Sequence, residues 1–252
     1  MVVLSNNNQF QIYAPSGSRS NVLKEVPVPV NCPITRGVQK RLTIFLNRIG
    51  FSCWYKTMTL LEETGFKVDV IDLAGSGANS CDINTITSIE QYVKPLIEFC
   101  NKLGNKEKVI LVGHDFRGAC ISFVMELFPT KIAKAIFISA AMLSNGQSSN
   151  ILMQQAKLFV CANGKDKPPT SIDLDKTLLR DYLFNQSSAK DVALASVSVR
   201  AVPFALVVEN LSLTDSNYGF IWRFYDTMIN SNPPEKVFQL KGSDHAPFFS
   251  RP

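Results

Sequence analysis

Two short segments carry the residue types that could do chemistry. The first is Gly113-His114-Asp115-Phe116-Arg117-Gly118, with an imidazole, a carboxylate and a guanidinium in one run. The second is Gly242-Ser243-Asp244-His245. The chain has 2 histidines, so any imidazole base is His114 or His245. A carboxylate beside an imidazole can serve as nucleophile and base, or as an ion pair that orients a base. His114 directly precedes Asp115 and reads as structural; His245 reads as the base. Gly75-Ser76-Gly77 resembles a phosphate loop only superficially. It lacks a third glycine and a lysine, so it reads as a tight turn.

Both segments fall where a parallel sheet would present them. Leu42–Leu46 is a short apolar run, read as a buried strand. Trp54–Thr64 has apolar residues at helical spacing and is stopped by Gly65. Phe66–Leu73 reads as a strand, Ser88–Leu103 as a helix ended by Gly104, and Lys108–Gly113 as the clearest buried strand. Phe116–Phe128 reads as a helix before Pro129, and Ala133–Ser139 as another strand. Such alternation implies a parallel sheet with right-handed crossovers. Residues 140–218 break the rhythm. They are richer in Ser, Asn, Lys and Asp and mostly helical in pattern, as expected of a cap inserted over the sheet edge. Strands resume at Phe220–Phe224 and Lys236–Leu240. Asp115 then sits at the turn from a strand into a helix, and His245 just past the last strand. Both are at the carboxyl ends of strands, where parallel sheets bind ligands.

Composition bounds the rest. Hydrophobic residues are 46% and charged residues 19% of the 252, which suits one large globular α/β domain. No stretch reaches the roughly 18 uninterrupted apolar residues of a membrane span. The net charge of +5 gathers early, in Arg19, Lys24, Arg36, Lys40 and Arg41 against Glu25. Basic and aromatic residues do not interleave, which argues against nucleic-acid binding. The 6 cysteines are irregularly spaced without Cys-x-x-Cys, so no metal site is expected and reduced thiols are. Residues 1–40 carry Asn6-Asn7-Asn8, a Ser-rich run at 16–20 and Pro27, Pro29 and Pro33. They read as a disordered tail or a plastid transit segment. The domain proper is expected over 41–252.

A strand-to-helix turn is where α/β-hydrolases hold their nucleophile, in the pattern Gly-x-Ser-x-Gly, with a His after the final strand. Asp115 occupies the nucleophile position, Arg117 the second glycine position and His245 the base position. Longer runs also resemble plant methylesterases: Trp54-Tyr55-Lys56, Asp72–Gly77, Tyr92–Leu96, Ile136–Leu143 and Gly242–His245. The likeness extends to hydroxynitrile lyases and salicylate-binding esterases. It is closest to the subgroup with plastid N-terminal extensions, through Asn232–Phe238 and Ala246–Pro252. The resemblance implies an α/β-hydrolase fold, a mostly parallel, doubly wound sheet with a helical cap insertion at about 140–218. It implies a Ser–His–Asp triad, no cofactor, and as partner a small apolar ester such as a methyl ester of salicylate, jasmonate or indole acetate. A homodimer is one assembly open to it. The location expected is the chloroplast, otherwise the cytoplasm.

Four departures from that family set the expectation of weak or absent activity. Asp115 stands for serine, and Arg117 beside it offers an ion pair. Asn47-Arg48-Ile49-Gly50 stands where the family has a glycine-rich oxyanion run, and Arg48 is a candidate substitute for its charge. Only 10 residues separate Tyr225 from Lys236, as if the segment bearing the acid were deleted; Asp226 is the candidate substitute. The resemblance also implies one more helix beyond Pro252. Two alternatives stay open: an Asp-nucleophile hydrolase of epoxides or alkyl halides, and a non-catalytic protein that binds a small ligand.

Overall fold

The computed structural model describes residues 2–5, 41–45, 54–143, 145–149, 157–214, 217, 237–240 and 242–250. Six parallel strands form the main sheet: β1 (Val2–Ser5), β2 (Arg41–Phe45), β3 (Lys67–Ile71), β4 (Val109–Asp115), β5 (Ile132–Ala140) and, later in the chain, β9 (Val237–Leu240). Their order across the sheet is β3-β2-β4-β5-β1-β9. The crossovers are α1 (Tyr55–Glu63), α2 (Ile89–Lys102) and α3 (Arg117–Leu127).

β4 shows why the sheet is covered on both faces. Val109 and Leu111 enter one apolar core, with Tyr92, Val93 and Leu96 of α2 and Ile121 and Val124 of α3. Ile110 and Val112 enter a second core, with Trp54, Phe184, Phe248 and Phe249. Alternate side chains of one strand thus feed opposite layers. α2 buries Ile89, Tyr92, Val93, Leu96 and Cys100, a single stripe at helical spacing. It starts at Ser88, whose hydroxyl accepts from the Gln91 amide at 3.2 Å.

The elements expected from Arg41 to Ser139 are where the pattern put them, within a few residues. Three expectations need amending or fall outside the described residues. Val2–Ser5, within a segment expected to be unstructured, is a strand paired on both sides, with β5 and β9. The insertion is not only helical. It contains a three-stranded antiparallel sheet of β6 (Lys157–Val160), β7 (Ser171–Leu174) and β8 (Val202–Pro203) beside α4 (Leu179–Tyr182), α5 (Ala189–Ser198) and α6 (Ala205–Val208). Ile172 and Val202 of this small sheet join the first core, which is why those strands form there. The strand expected at Phe220–Phe224 lies outside the described residues.

Candidate active site

β4 runs straight into α3, and the turn between them is tight. Asp115 adopts φ 56°, the left-handed region that costs a non-glycine residue energy. Gly113 and Gly118 make the turn feasible. A β-carbon on Gly113 would sit 3.0 Å from the Arg117 carbonyl, and one on Gly118 would overlap the Ala141 carbonyl. The neighbouring strand bulges at the same level. His114 pairs with Ile138 and Asp115 with Ala140, which leaves Ser139 as the extra residue, with φ 44°. The Ala141 amide then donates to the Asp115 carbonyl at 2.9 Å and seals the bulge.

His245 arrives from the other end of the chain. After β9, Gly242 turns with φ 68° and a short helix, α7 (Pro247–Ser250), follows. The turn carries the imidazole back over the sheet: His245 Nε2 lies 3.9 Å from Asp115 Oδ1. Asp115 and His245, predicted from sequence as a pair, are therefore brought together. Their side chains are only 18% and 9% exposed, so their mutual field is weakly screened. Burial holds the pKa of His245 below its ordinary value, partly opposed by the carboxylates of Asp115 and Asp244. The imidazole is thus neutral at neutral pH and able to accept a proton.

His114 supports this arrangement from beneath. Its Nε2 is 2.7 Å from the His245 carbonyl, and the two rings lie 4.5 Å apart. Burial, with the His245 charge second, pushes its pKa down to about 3. The ring stays neutral, and since a carbonyl only accepts, Nε2 carries the proton and donates it. That matches the structural role read from sequence.

Arg117 departs from expectation. Its guanidinium is completely buried and turns toward the loop after β3: Nη2 donates to Ser76 Oγ at 3.1 Å, and the group lies 5.3 Å from the Tyr92 ring centre. Ser76 Oγ and Tyr92 Oη are themselves 3.1 Å apart. The expected ion pair with Asp115 gives way to a hydroxyl and an aromatic face, while Nε and Nη1 have no hydrogen-bond partner among the described residues. The Gly75-Ser76-Gly77 segment is a tight turn, with φ 69° at Gly75 and 56° at Gly77. The Ala78 amide there donates to Asp72 at 2.8 Å. Asp226 and Arg48 lie outside the described residues.

Two residues near the site gave no sequence signal of their own. Asp244 was legible only as part of the run that ends in His245. Ser139, whose buried hydroxyl lacks a described partner, has an unremarkable place in a strand pattern, and only the bulge singles it out. Among the described residues no group of three His, Cys, Asp or Glu could hold a metal.

Comparison with known proteins agrees with this fold. Residues 47–245 match the family described as the alpha/beta hydrolase fold. The protein of Arabidopsis thaliana named "Putative methylesterase 11, chloroplastic" is 59% identical over 227 residues, covering 81% of this chain and 58% of that protein. The one named "Putative methylesterase 12, chloroplastic" is 42% identical, covering 85% of this chain and 69% of its own length. The chain therefore spans little more than half of the former. A crystal structure of a methylesterase from Arabidopsis superposes with a TM-score of 0.73 at 29% identity, covering 84% of this chain and 93% of that one. The chain belongs to the alpha/beta hydrolase family, among the plant methylesterases.

Proposed function

We propose that this chain is a methylesterase-family protein that takes small apolar esters and hydrolyses them only weakly. One observation carries the reading: the position facing His245 Nε2 at 3.9 Å holds a carboxylate, not a hydroxyl. In a serine esterase the imidazole removes the hydroxyl proton as the oxygen attacks. An ionised Asp115 has no proton to give, so His245 does nothing in that step. Attack by the carboxylate on an ester carbonyl would form a mixed anhydride and expel the alkoxide, which takes a proton from solvent to leave as the alcohol. Water, deprotonated by His245, would then cleave the anhydride. The first step lacks base assistance, and the carboxylate is a weaker nucleophile than an alkoxide. The natural esters are those of hormone-like carboxylic acids. The plastid is the proposed location, since relatives at 59% and 42% identity carry the word chloroplastic in their names.

The test is hydrolysis of an aryl acetate by the wild type, Asp115→Ser and His245→Ala. Restoring the hydroxyl should raise turnover by roughly tenfold or more, and the His245→Ala protein should show only background. A wild type as fast as Asp115→Ser would overturn the reading.

A second reading follows from the same 3.9 Å separation, at which Asp115 Oδ1 and His245 Nε2 face one another short of a direct hydrogen bond. A carboxylate can displace a leaving group at an sp³ carbon, as in epoxide opening, to leave an ester on Asp115 that His245-activated water hydrolyses. Covalent labelling of Asp115 by a simple epoxide, detected by mass, supports it; an unlabelled protein after long exposure removes it.

A further inference from the structure

The loop that bears His245 is held to the insertion by one side chain. Asp244 is 1% exposed. Its Oδ2 accepts from the Ser187 hydroxyl at 2.7 Å and from the Gln186 amide at 3.0 Å, both in the insertion. Its Oδ1 accepts from the Ala246 amide at 3.0 Å and the Ser250 hydroxyl at 3.0 Å, both on the far side of His245. These four bonds fill the acceptor capacity of a carboxylate. Asp244 is thus occupied in fixing backbone, not in orienting an imidazole nitrogen.

The surroundings repeat the tie. From the insertion, Phe184 packs 5.9 Å from Phe249, which packs 5.2 Å from Phe248. Phe248 lies 4.4 Å from Trp54 and 4.9 Å from His114. A few residues on, Asp191 accepts from Lys56 Nζ at 2.8 Å and Tyr55 Oη at 3.2 Å, and Lys56 also reaches the Phe249 carbonyl at 3.4 Å. Residues 184–191 therefore grip α7 and α1 from both ends, with the His245 turn between.

We propose that Asp244 is a positioning residue for His245, and that residues 184–191 of the insertion are a brace for the base and not a gate over it. Moving this segment away would require breaking charge-assisted bonds to a buried carboxylate, the strongest class of hydrogen bond available here. The geometry of the imidazole is then set from two sides: by His114 through the carbonyl, and by the insertion through Asp244. The inference rests on the reading of His245 as the base, but its test uses no turnover.

With 2 histidines in the chain, a spectrum of the ¹⁵N-labelled imidazoles contains two sets of signals, assigned with His245→Gln. The comparison is Ser187→Ala, Ser187→Thr and Asp244→Asn. Ser187→Ala leaves the Asp244 charge in place, so a moved His245 signal and a shifted titration report position and not field. The expected result is a clear shift in Ser187→Ala, its recovery in Ser187→Thr, and a larger shift in Asp244→Asn. Hydrogen exchange of the Gln186 amide should accelerate roughly tenfold or more in Asp244→Asn. If Asp244→Asn fails to fold, the two Ser187 variants decide. His245 signals unmoved in a cooperatively folded Ser187→Ala would overturn the proposal. A brace without ester turnover would leave it standing and sink only the esterase reading.

Discussion

The elbow between β4 and α3 and the loop that brings His245 to it lie side by side, yet they treat polar atoms in opposite ways. In the loop, the buried Asp244 carboxylate accepts four hydrogen bonds. At the elbow, Arg117 Nε and Nη1, His114 Nδ1 and Ser139 Oγ are buried without a hydrogen-bond partner among the described residues. The elbow also holds two residues in left-handed backbone, Asp115 and Ser139. The frame ends and the chemistry begins between these two regions. The backbone of the elbow is dictated by glycines and strand pairing, and it survives a change of the side chains it displays. Arg117, His114 and Ser139 then each keep a buried polar atom with no hydrogen-bond partner among the described residues. The Asp244 side of the support is fully hydrogen-bonded, and the unsatisfied polar atoms lie on the elbow side.

If that contrast is right, the elbow can be improved and the loop cannot. Arg117 offers the largest gain. It is a fully buried cation bonded to one hydroxyl, and it starts a helix, where the macrodipole repels positive charge. Arg117→Met keeps the length and apolar stem and removes the charge. We expect it to stabilise the protein by about 1–4 kcal/mol, read as a higher denaturant midpoint at unchanged slope. A loss of stability would mean that the guanidinium is well anchored by Ser76 and Tyr92, and the contrast between the two regions would collapse.

His114 joins the two regions and should show as pH dependence. Burial holds its folded pKa at about 3, below the ordinary imidazole value of 6.5. Between those values the unfolded chain binds a proton that the folded chain does not, so stability rises with pH across the window. The contribution is fully present above about 6.5 and is lost as pH falls toward about 3. The slope from this one group is about 1.4 kcal/mol per pH unit. His114→Gln, which can still donate to the His245 carbonyl, should reduce the slope between roughly pH 4 and 6, leaving the part that the lowered pKa of His245 contributes. An unchanged slope in chemical melts at several pH values would remove His114 from the account.

Much of this is legible in the chain itself. The strong periodic runs from Arg41 to Ser139 gave strands and helices because burial there is local and patterned. Asp115 and His245 followed from their places at the ends of strands. What stayed hidden depended on distant partners. Val2–Ser5 is a run too short to carry a period, and it is a strand only because β5 and β9 flank it. The antiparallel strands of the insertion are four residues or fewer, so their composition read as polar and helical. The destination of Arg117 could not be read, because Ser76 and Tyr92 come 41 and 25 positions earlier in the chain. Asp244 is legible only as part of the run ending in His245, since nothing local shows that its acceptors meet Gln186 and Ser187.

The smallest effect is expected at Asp115 itself, and it is the sharpest probe of the elbow. At φ 56° the residue sits in a region that only glycine enters without a steric penalty, though Asp and Asn bear it better than most. Asp115→Gly removes the β-carbon and the carboxylate together. The steric relief favours the folded state, while the added freedom of glycine favours the unfolded one, so the two partly cancel. The net should be a stabilisation of about 1 kcal/mol or less, with any residual ester turnover lost. Asp115→Asn serves as the control, since it keeps the strain and drops the charge. If Asn stabilises as much as Gly, the gain comes from electrostatics and the backbone at the elbow is relaxed. If Gly alone stabilises, the turn stores strain on behalf of a displayed side chain, as a site built for a nucleophile would.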